Sequence, residues 1–381
     1  MEYIKNYFKE KTKDITFIEL KDDSHIQIRD YKVKEGTPLP LLTSVLIKEI
    51  KKGTLEEEIK ITHIIDGIIY TLGVDQEFSF VNEYKSILKA YDKNIVDYIF
   101  YRGMKSLEDK DYDSCSINFR ALLLLEPDNV KALFNYAIAL EEIAKKLLQG
   151  EKTEEGKVFL NHSTKQLEAI LDLKDDFSLA YYKLGFHYMY SEQYLKANLI
   201  WNKFLTLGND DILLQEIREE MDKIKYDVEL ETGITYLAYN DFNKALDHLL
   251  KLIPKYEENW NINYLIGQAY NGLGQYEFAI DYFNKAIELN DKEPDIYNEL
   301  GILFFNIGNI DKAIEVFSQG IDNCGEDYKL YFNRGLGYVQ LEQLEDGLRD
   351  INRAAALNSE DINIKAQKES LEQILNNKNN N

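Results

Sequence analysis

The chain is 381 residues long, 45% hydrophobic and 29% charged, with a formal net charge of −22 at pH 7. That hydrophobic share is ample for a core and excludes disorder as the default, while five prolines and no regular turn clusters argue against an all-β protein and for helix. Residues 1–95 hold 15 Lys and Arg against 17 Asp and Glu, the remaining 286 hold 30 against 50, and no basic footprint for nucleic acid exists in either part.

The opening stretch, MEYIKNYFKEKTKD, lacks the apolar segment of a signal peptide. No stretch approaches the ~18 uninterrupted apolar residues that a membrane span needs, so a soluble, cytoplasmic protein is expected. Residues 15–20 (ITFIEL) and 25–33 (HIQIRDYKV) flank the turn-rich KDDS, and Ile26 and Ile28 alternate with Gln27 and Arg29. This pattern predicts a β-hairpin. GTPLP at 36–40 then breaks the chain, and LLTSVLIKEIKK (41–52) suits a helix that stops at Gly53. Thr54 with Glu57 is a capping-box signature for a helix through about Leu72, and a further helix is expected over 79–91. Residues 1–95 therefore read as a small α/β module that resembles no known family and serves as a cap on the helices beyond residue 95, or else as a partner-binding element.

From residue 96 the chain repeats itself. Gly267, Gly301 and Gly335 are 34 residues apart, as are Ala279, Ala313 and Gly347, and as are Phe283, Phe317 and Ile351. With each glycine at position eight, three units run 260–293, 294–327 and 328–361, and position 11 is aromatic in all of them (Tyr270, Phe304, Tyr338). The frame extends back to 226–259 through Gly233, Tyr236, Ala245 and Leu249. It continues to 178–211 through Gly185, Tyr188, Ala197 and Trp201, to 130–177 through Ala137, and to 96–129 through Gly103, Tyr112, Cys115, Phe119 and Pro127. Small residues are expected at positions eight and 20 because the two helices of a unit would cross there.

The pattern resembles the tetratricopeptide repeat, a 34-residue helix–turn–helix unit, over about 96–361 in some seven units. The resemblance implies a mainly α protein: a right-handed solenoid of antiparallel helix pairs, here with a small N-terminal α/β module. The chain departs from the family pattern at the unit-end proline, kept only as Pro127, and at position four, which is Ile99, Leu133, Glu229 and Asn263 in four units.

Two spacings of 48 residues, Ala137 to Gly185 and Gly185 to Gly233, mark 14-residue insertions. The first falls between the helices of 130–177, around LLQGEKTEEGK, and about seven residues per helix is two turns, so both helices should be lengthened. The second, 212–225, carries Leu214, Ile217, Met221, Ile224 and Val228, a spacing that predicts one helix from near Asp211 to near Asn240, about 45 Å long. Residues 362–376 should form a solvating helix over the last unit, and 377–381 a disordered tail.

No catalytic or metal-ligating pattern emerges. His25, His63, His162, His187 and His248 include no pair at a helical ligand spacing, and Cys115 and Cys324 are too few and too far apart for a disulfide framework. GLG at 272–274 has no preceding strand and belongs to the repeat's turn, so it is no phosphate loop. A non-enzymatic protein without metal or cofactor is expected.

In the family that the chain resembles, the concave surface is lined by positions two, five, nine, twelve and thirteen of each first helix. Those positions nominate Phe100, Met104, Phe134, Ile138, Tyr182, Phe186, Met189, Tyr190, Leu230, Ile234, Tyr264, Gln268 and Asn271 as partner-binding residues, set mainly for that purpose and not for packing against the second helix. Position five is never Lys and position nine never Asn, so the carboxylate clamp of the family's chaperone-binding members is absent. Three uses of this face stand side by side: a groove for an apolar or amphipathic segment of a protein or peptide, closure against itself or against residues 1–95, and burial in a homodimer. Rival functions are a peptide-sensing regulatory receptor and a chaperone or assembly factor for apolar client segments.

Overall fold

The computed structural model describes residues 2–19, 26–52 and 60–379. Its contacts divide the chain into two compact units, Met1–Glu219 and Glu220–Asn381.

The first unit opens with α1 (Glu2–Lys9) and a 3-10 turn (Glu10–Asp14), followed by four short strands: β1 (Ile15–Ile18), β2 (Gln27–Ile28), β3 (Tyr31–Lys32) and β4 (Leu39–Leu42). The expected hairpin between 15–20 and 25–33 does not form among the described residues. Strand β1 pairs antiparallel with β4, Ile15 opposite Leu42 and Phe17 opposite Pro40, and β2 pairs with β3 across a turn at Arg29, where φ is 52°. KDDS itself lies outside the described residues. The apolar run Leu39–Leu42 won the pairing because Leu39 and Leu41 bury their side chains completely, and a two-stranded sheet tolerates Pro40 since each strand has a free edge.

Helices α2 (Thr43–Lys52), α3 (Ile61–Val74) and α4 (Val81–Tyr91) follow. The proposed start of α3 at Thr54 and Glu57 falls outside the described residues. Lys60 is extended (φ −69°, ψ 136°) ahead of Ile61, so the helix does not run unbroken from 54, and it ends two residues beyond Leu72. These elements share one core with the first repeats. Phe8 and Ile4 of α1 and Leu72 and Ile68 of α3 are buried together with Phe119 and Phe159 from further along the chain.

Helix pairs then follow in regular order: α5 (Ile95–Glu108) with α6 (Tyr112–Leu125), α7 (Val130–Gln149) with α8 (Thr153–Leu173), and α9 (Ser178–Tyr190) with α10 (Tyr194–Leu207). Helices α7 and α8 have 20 and 21 residues where their neighbours have 13 or 14, as the first insertion requires. The second insertion lies within one helix, α11 (Asp211–Ala238), of 28 residues.

In the second unit α12 (Phe242–Leu249), a 3-10 turn (Leu250–Leu252) and α13 (Ile253–Tyr256) lead to three further pairs. These are α14 (Trp260–Gly272) with α15 (Tyr276–Leu289), α16 (Pro294–Asn306) with α17 (Ile310–Cys324), and α18 (Tyr328–Gln340) with α19 (Leu344–Leu357). The last helix, α20 (Ile362–Asn379), buries Ile364, Leu371 and Leu375 and packs on α19; it runs three residues past the expected end, so 377–379 are helical and not a disordered tail. Its buried side chains cover apolar surface of the last helix pair.

The turn between paired helices has a fixed geometry that composition hides. Position 15 has positive φ in six units, at Lys110, Glu192, Asn240, Gly274, Gly308 and Glu342, yet only two of these are glycine. In each, the N–H of the next residue donates to the carbonyl of position 11, as from Gln275 to Tyr270 and from Gln343 to Tyr338, which closes the helix end and offsets the left-handed strain. Asp111, Asn129, Asp241, Asn259, Asn309 and Asp327 cap the N-termini of the helices they precede with their side chains.

The repeat glycines serve a different neighbour from the one expected. A Cβ on Gly267 would lie 2.8 Å from the Phe283 ring, on Gly301 2.2 Å from Phe317 and on Gly185 2.0 Å from Trp201, so position eight is small to admit the large residue at position 24. The position-20 backbone approaches only secondarily, at 3.6 Å for Gly233 and 3.1 Å for Gly335. Since a Phe ring can yield somewhat, Gly267→Ala should destabilise the second unit by about 1–2 kcal/mol, read as a lower urea midpoint at unchanged slope. An unchanged midpoint would refute this packing account.

Two buried polar groups complete the framework. Arg334 holds Asp350, 2% exposed, through two parallel hydrogen bonds of 2.7 and 3.0 Å and donates to Ser318 Oγ at 3.0 Å, tying α17, α18 and α19 together. Burial, with Asp111 nearby, pushes the Cys115 thiol up to about 12, which suits a packing residue.

Candidate protein-binding surface

In the first unit the face formed by α5, α7 and α9 carries eight of the nominated residues. Phe100, Met104, Phe134, Ile138, Tyr182, Phe186 and Met189 are half-buried, and Tyr190 is 66% exposed. The rings form a series of contacts, the first two edge-to-face and the third tilted. Phe134 meets Phe177 at 5.3 Å between centroids, Tyr182 meets Phe186 at 5.2 Å, and Phe186 meets Tyr190 at 6.5 Å.

The expectation is that most of the nominated residues do not serve packing against the second helix; three of these eight do pack there, and in the second unit Tyr264 meets Phe283 of α15 at 5.9 Å. Phe100 abuts Phe119 of α6 at 5.5 Å, Tyr182 abuts Phe204 of α10 at 5.5 Å, and Phe186 abuts Trp201 of α10 at 5.1 Å. Such rings stabilise the hairpin on one face and leave the other half to solvent. Helical spacing identifies a face but cannot say how far a ring leans inward.

The same face contains a charge cluster that spacing did not disclose. Glu141 of α7 is buried, with Lys183 Nζ 3.0 Å and Lys145 Nζ 2.8 Å from its oxygens and the buried His187 ring nitrogen at 3.6 Å; Thr164 Oγ1 lies 2.9 Å from the other nitrogen of His187. Burial alone would raise the Glu141 pKa, but His187, Lys183 and Lys145 outweigh it and hold the carboxyl far below the usual carboxylate range.

The N-terminal module approaches from elsewhere. Gly73 of α3 meets Ile117 of α6, Arg120 Nε donates to the Gly73 carbonyl at 2.6 Å, and Tyr3 and Tyr7 of α1 flank Phe159 of α8. The module reaches α5 through Asp66, which accepts from Tyr98 and Arg102 on a side of α5 other than that of Phe100 and Met104.

In the second unit the remaining five nominated residues occupy a more polar setting. Leu230, Tyr264, Gln268 and Asn271 are half-buried, and Ile234 is exposed. Gln268 Nε2 donates to Tyr264 Oη at 2.9 Å, Asn333 Nδ2 to Asn298 Oδ1 at 2.7 Å, and Lys329 Nζ to Asp295 at 2.7 Å. Burial, then Asp295, raises the Glu299 pKa despite Lys329. The legible signal was Asn298, which stands at the fifth repeat position, where the other units carry Phe100, Phe134, Tyr182, Leu230, Tyr264 and Phe332. The thirteen residues therefore divide into a mainly aromatic and apolar set in the first unit and a set mixing Leu230, Ile234 and Tyr264 with the polar Gln268 and Asn271 in the second.

Among the described residues no group of three His, Cys, Asp or Glu side chains could hold a metal ion, and no helix is long and apolar enough to cross a membrane. His248 Nδ1 lies 2.6 Å from Glu229 and its ring stacks on Tyr236, a pairing within one helix pair.

Comparison with known proteins agrees with the repeat frame. A family model described as "TPR repeat" matches residues 267–308, and one described as "Tetratricopeptide repeat" matches 294–325. Among solved structures, the chain is similar to YrrB, "a TPR protein with an unusual peptide-binding site", at 17% identity, covering 66% of this chain and 97% of that one with a TM-score of 0.27. It is similar to TTC0263, a thermophilic TPR protein of Thermus thermophilus, at 16% identity, covering 51% and 98% with a TM-score of 0.34. The first TPR domain of human RPAP3 aligns at 21% identity over 32% and 95%, with a TM-score of 0.30. These likenesses are of repeat type and transfer no ligand. No curated protein matches the chain significantly.

Proposed function

We infer, from a chain that belongs to the tetratricopeptide-repeat family, that the aromatic face of α5, α7 and α9 receives an apolar or amphipathic segment of a protein or peptide. Repeats of this family are generally non-enzymatic interaction modules, and a protein-interaction scaffold is the function that membership supports. The finer reading is a non-enzymatic adaptor of the cytoplasm with no nucleic-acid or membrane partner.

One observation carries the choice of face. Phe134, Ile138, Tyr182, Phe186 and Met189 stay half-exposed and Tyr190 is 66% exposed, while the N-terminal module packs on α6 and α8. Contiguous apolar surface of this kind is costly to leave in water and marks interaction sites. Met104 and Met189 among the rings suit an adaptable surface. The mixed face of the second unit has less of that driving force, so Leu230, Ile234, Tyr264, Gln268 and Asn271 would act as secondary contacts.

The test compares native protein with Tyr190→Asp and Phe186→Asp in affinity capture followed by mass spectrometry. Tyr190 is exposed, so its replacement should leave the thermal midpoint unchanged and yet reduce partner recovery about tenfold or more, the scale of a central interface aromatic. Phe186→Asp should abolish recovery at some cost in stability, since its ring also packs on Trp201. Equal recovery by all three proteins would remove this face from consideration.

A further inference from the structure

We propose that the first unit carries a second binding site, distinct from the aromatic face, that takes a lysine- or arginine-bearing peptide segment of another protein. The site is a cleft of about 980 Å³ between the N-terminal module and the first helix pair. Helices α2, α3, α5 and α6 supply most of its lining. A volume at the upper limit of small-molecule pockets, open along its length, suits several residues of peptide better than one small metabolite.

Charge selects the ligand. The lining presents four carboxylates against one guanidinium and one ammonium. Asp66 is already matched by Arg102, but among the described residues no lysine or arginine lies within 4 Å of Asp14, Asp109 or Asp111. Tyr70, on the same lining, feels this field: burial first, then Asp14, Asp113 and Asp111, raise its phenol pKa. Asp14 accepts from Tyr70 Oη at 3.2 Å and Asp111 caps α6, so these two carboxylates already have neutral donors, while all three stay exposed and none has a cation beside it. A ligand cation would meet the summed negative field of the lining at the rim of the cleft, an attraction that salt screens.

Aromatic side chains supply the second element of recognition. Tyr101 of α5 is 65% exposed on this lining, with its ring accessible to a ligand. Arg102 shows the mode a ligand would repeat, with its guanidinium 5.7 Å from the Tyr98 ring centre while it pairs with Asp66. Ile47 and Ile69 give the aliphatic stems of lysine or arginine an apolar surface to lie on.

The full-length chain should be titrated into a fluorescein-labelled dodecapeptide of alternating Lys/Arg and Ala at physiological ionic strength, read by anisotropy. Tyr101→Ala should weaken binding about fivefold to tenfold, the worth of one cation–π contact, and Asp109→Lys at least about tenfold. Both residues are exposed, so thermal midpoints should match the wild type. Glu277→Lys in the second unit, which changes net charge as much as Asp109→Lys, and Tyr190→Asp on the aromatic face should each leave affinity within about twofold. Four results would each overturn the proposal: no binding of the basic peptide, equal binding of its glutamate counterpart, equal weakening by Glu277→Lys, or spermine binding as tightly as the peptide. Loss with Tyr190→Asp alone would move the peptide to the aromatic face and overturn it too, while the proposed function would stand.

Discussion

Gly73→Ala is expected to destabilise the first unit by about 3 kcal/mol or more, the upper end for overpacking, because the added carbon would meet backbone that cannot yield. A Cβ on Gly73 would lie 2.2 Å from the Ile117 carbonyl oxygen and 2.8 Å from its carbon, so α3 must move away from α6. That movement breaks more than one contact. The Gly73 carbonyl accepts from Arg120, whose guanidinium lies 4.5 Å from the Phe8 ring centre and 3.4 Å from Tyr136 Oη. Arg120 is only 6% exposed and depends on these partners for compensation of its burial. The measurement is urea unfolding by circular dichroism with Gly150→Ala as the control. At Gly150 the nearest atoms to an added Cβ are 3.5 Å away, so that change should stay within about 0.5 kcal/mol. If Gly73→Ala unfolds with the control, the N-terminal module is not docked on α6 as described.

Glu141→Gln should remove about 2–3 kcal/mol at neutral pH, because it leaves Lys183 and Lys145 facing a buried site without their counter-charge. The acid dependence has a definite direction. Glu141 is held well below its ordinary 4.5 in the folded state, so its contribution is complete above 4.5 and disappears as pH falls below it and the unfolded chain takes up the proton first. A second group acts at milder pH. Burial, aided by Arg120, lowers His162 from 6.5 to about 4, so the folded state resists a proton that the unfolded chain accepts. Stability should therefore already decline between 6.5 and about 4 through His162, and further below 4.5 through Glu141. Urea midpoints measured across this range should show His162→Gln flattening the upper slope and Glu141→Gln the lower one. Identical pH profiles for wild type and both variants would contradict the burial assigned to these groups.

The helix pairs were legible because their cause is local. A 34-residue recurrence of small, aromatic and apolar residues specifies two amphipathic helices whatever lies around them, and even the insertions could be assigned: two lengthened helices, α7 and α8, and one continuous α11. The aromatic face was legible as a set of positions, since Phe100, Phe134 and Tyr182 recur at the fifth position of successive first helices and Phe186 lies one turn beyond Tyr182.

Partners across long separations were not legible. Residues 15–20 were legible as one arm of a hairpin, with alternation at Ile26–Arg29 marking the other, but only the folded chain decided that the partner of Ile15–Ile18 is Leu39–Leu42 and not the nearer segment, in a register that buries Leu39 and Leu41. The same holds for Gly267, whose small size answers to the ring of Phe283 and not to Ala279. It holds also for Glu141, an acidic residue at a surface-facing repeat position that Lys183 and His187 enclose from the next helix pair. Periodicity reports which side of a helix faces its neighbours; which atoms meet, and which charges lose their water, depends on three-dimensional packing that one chain position cannot encode.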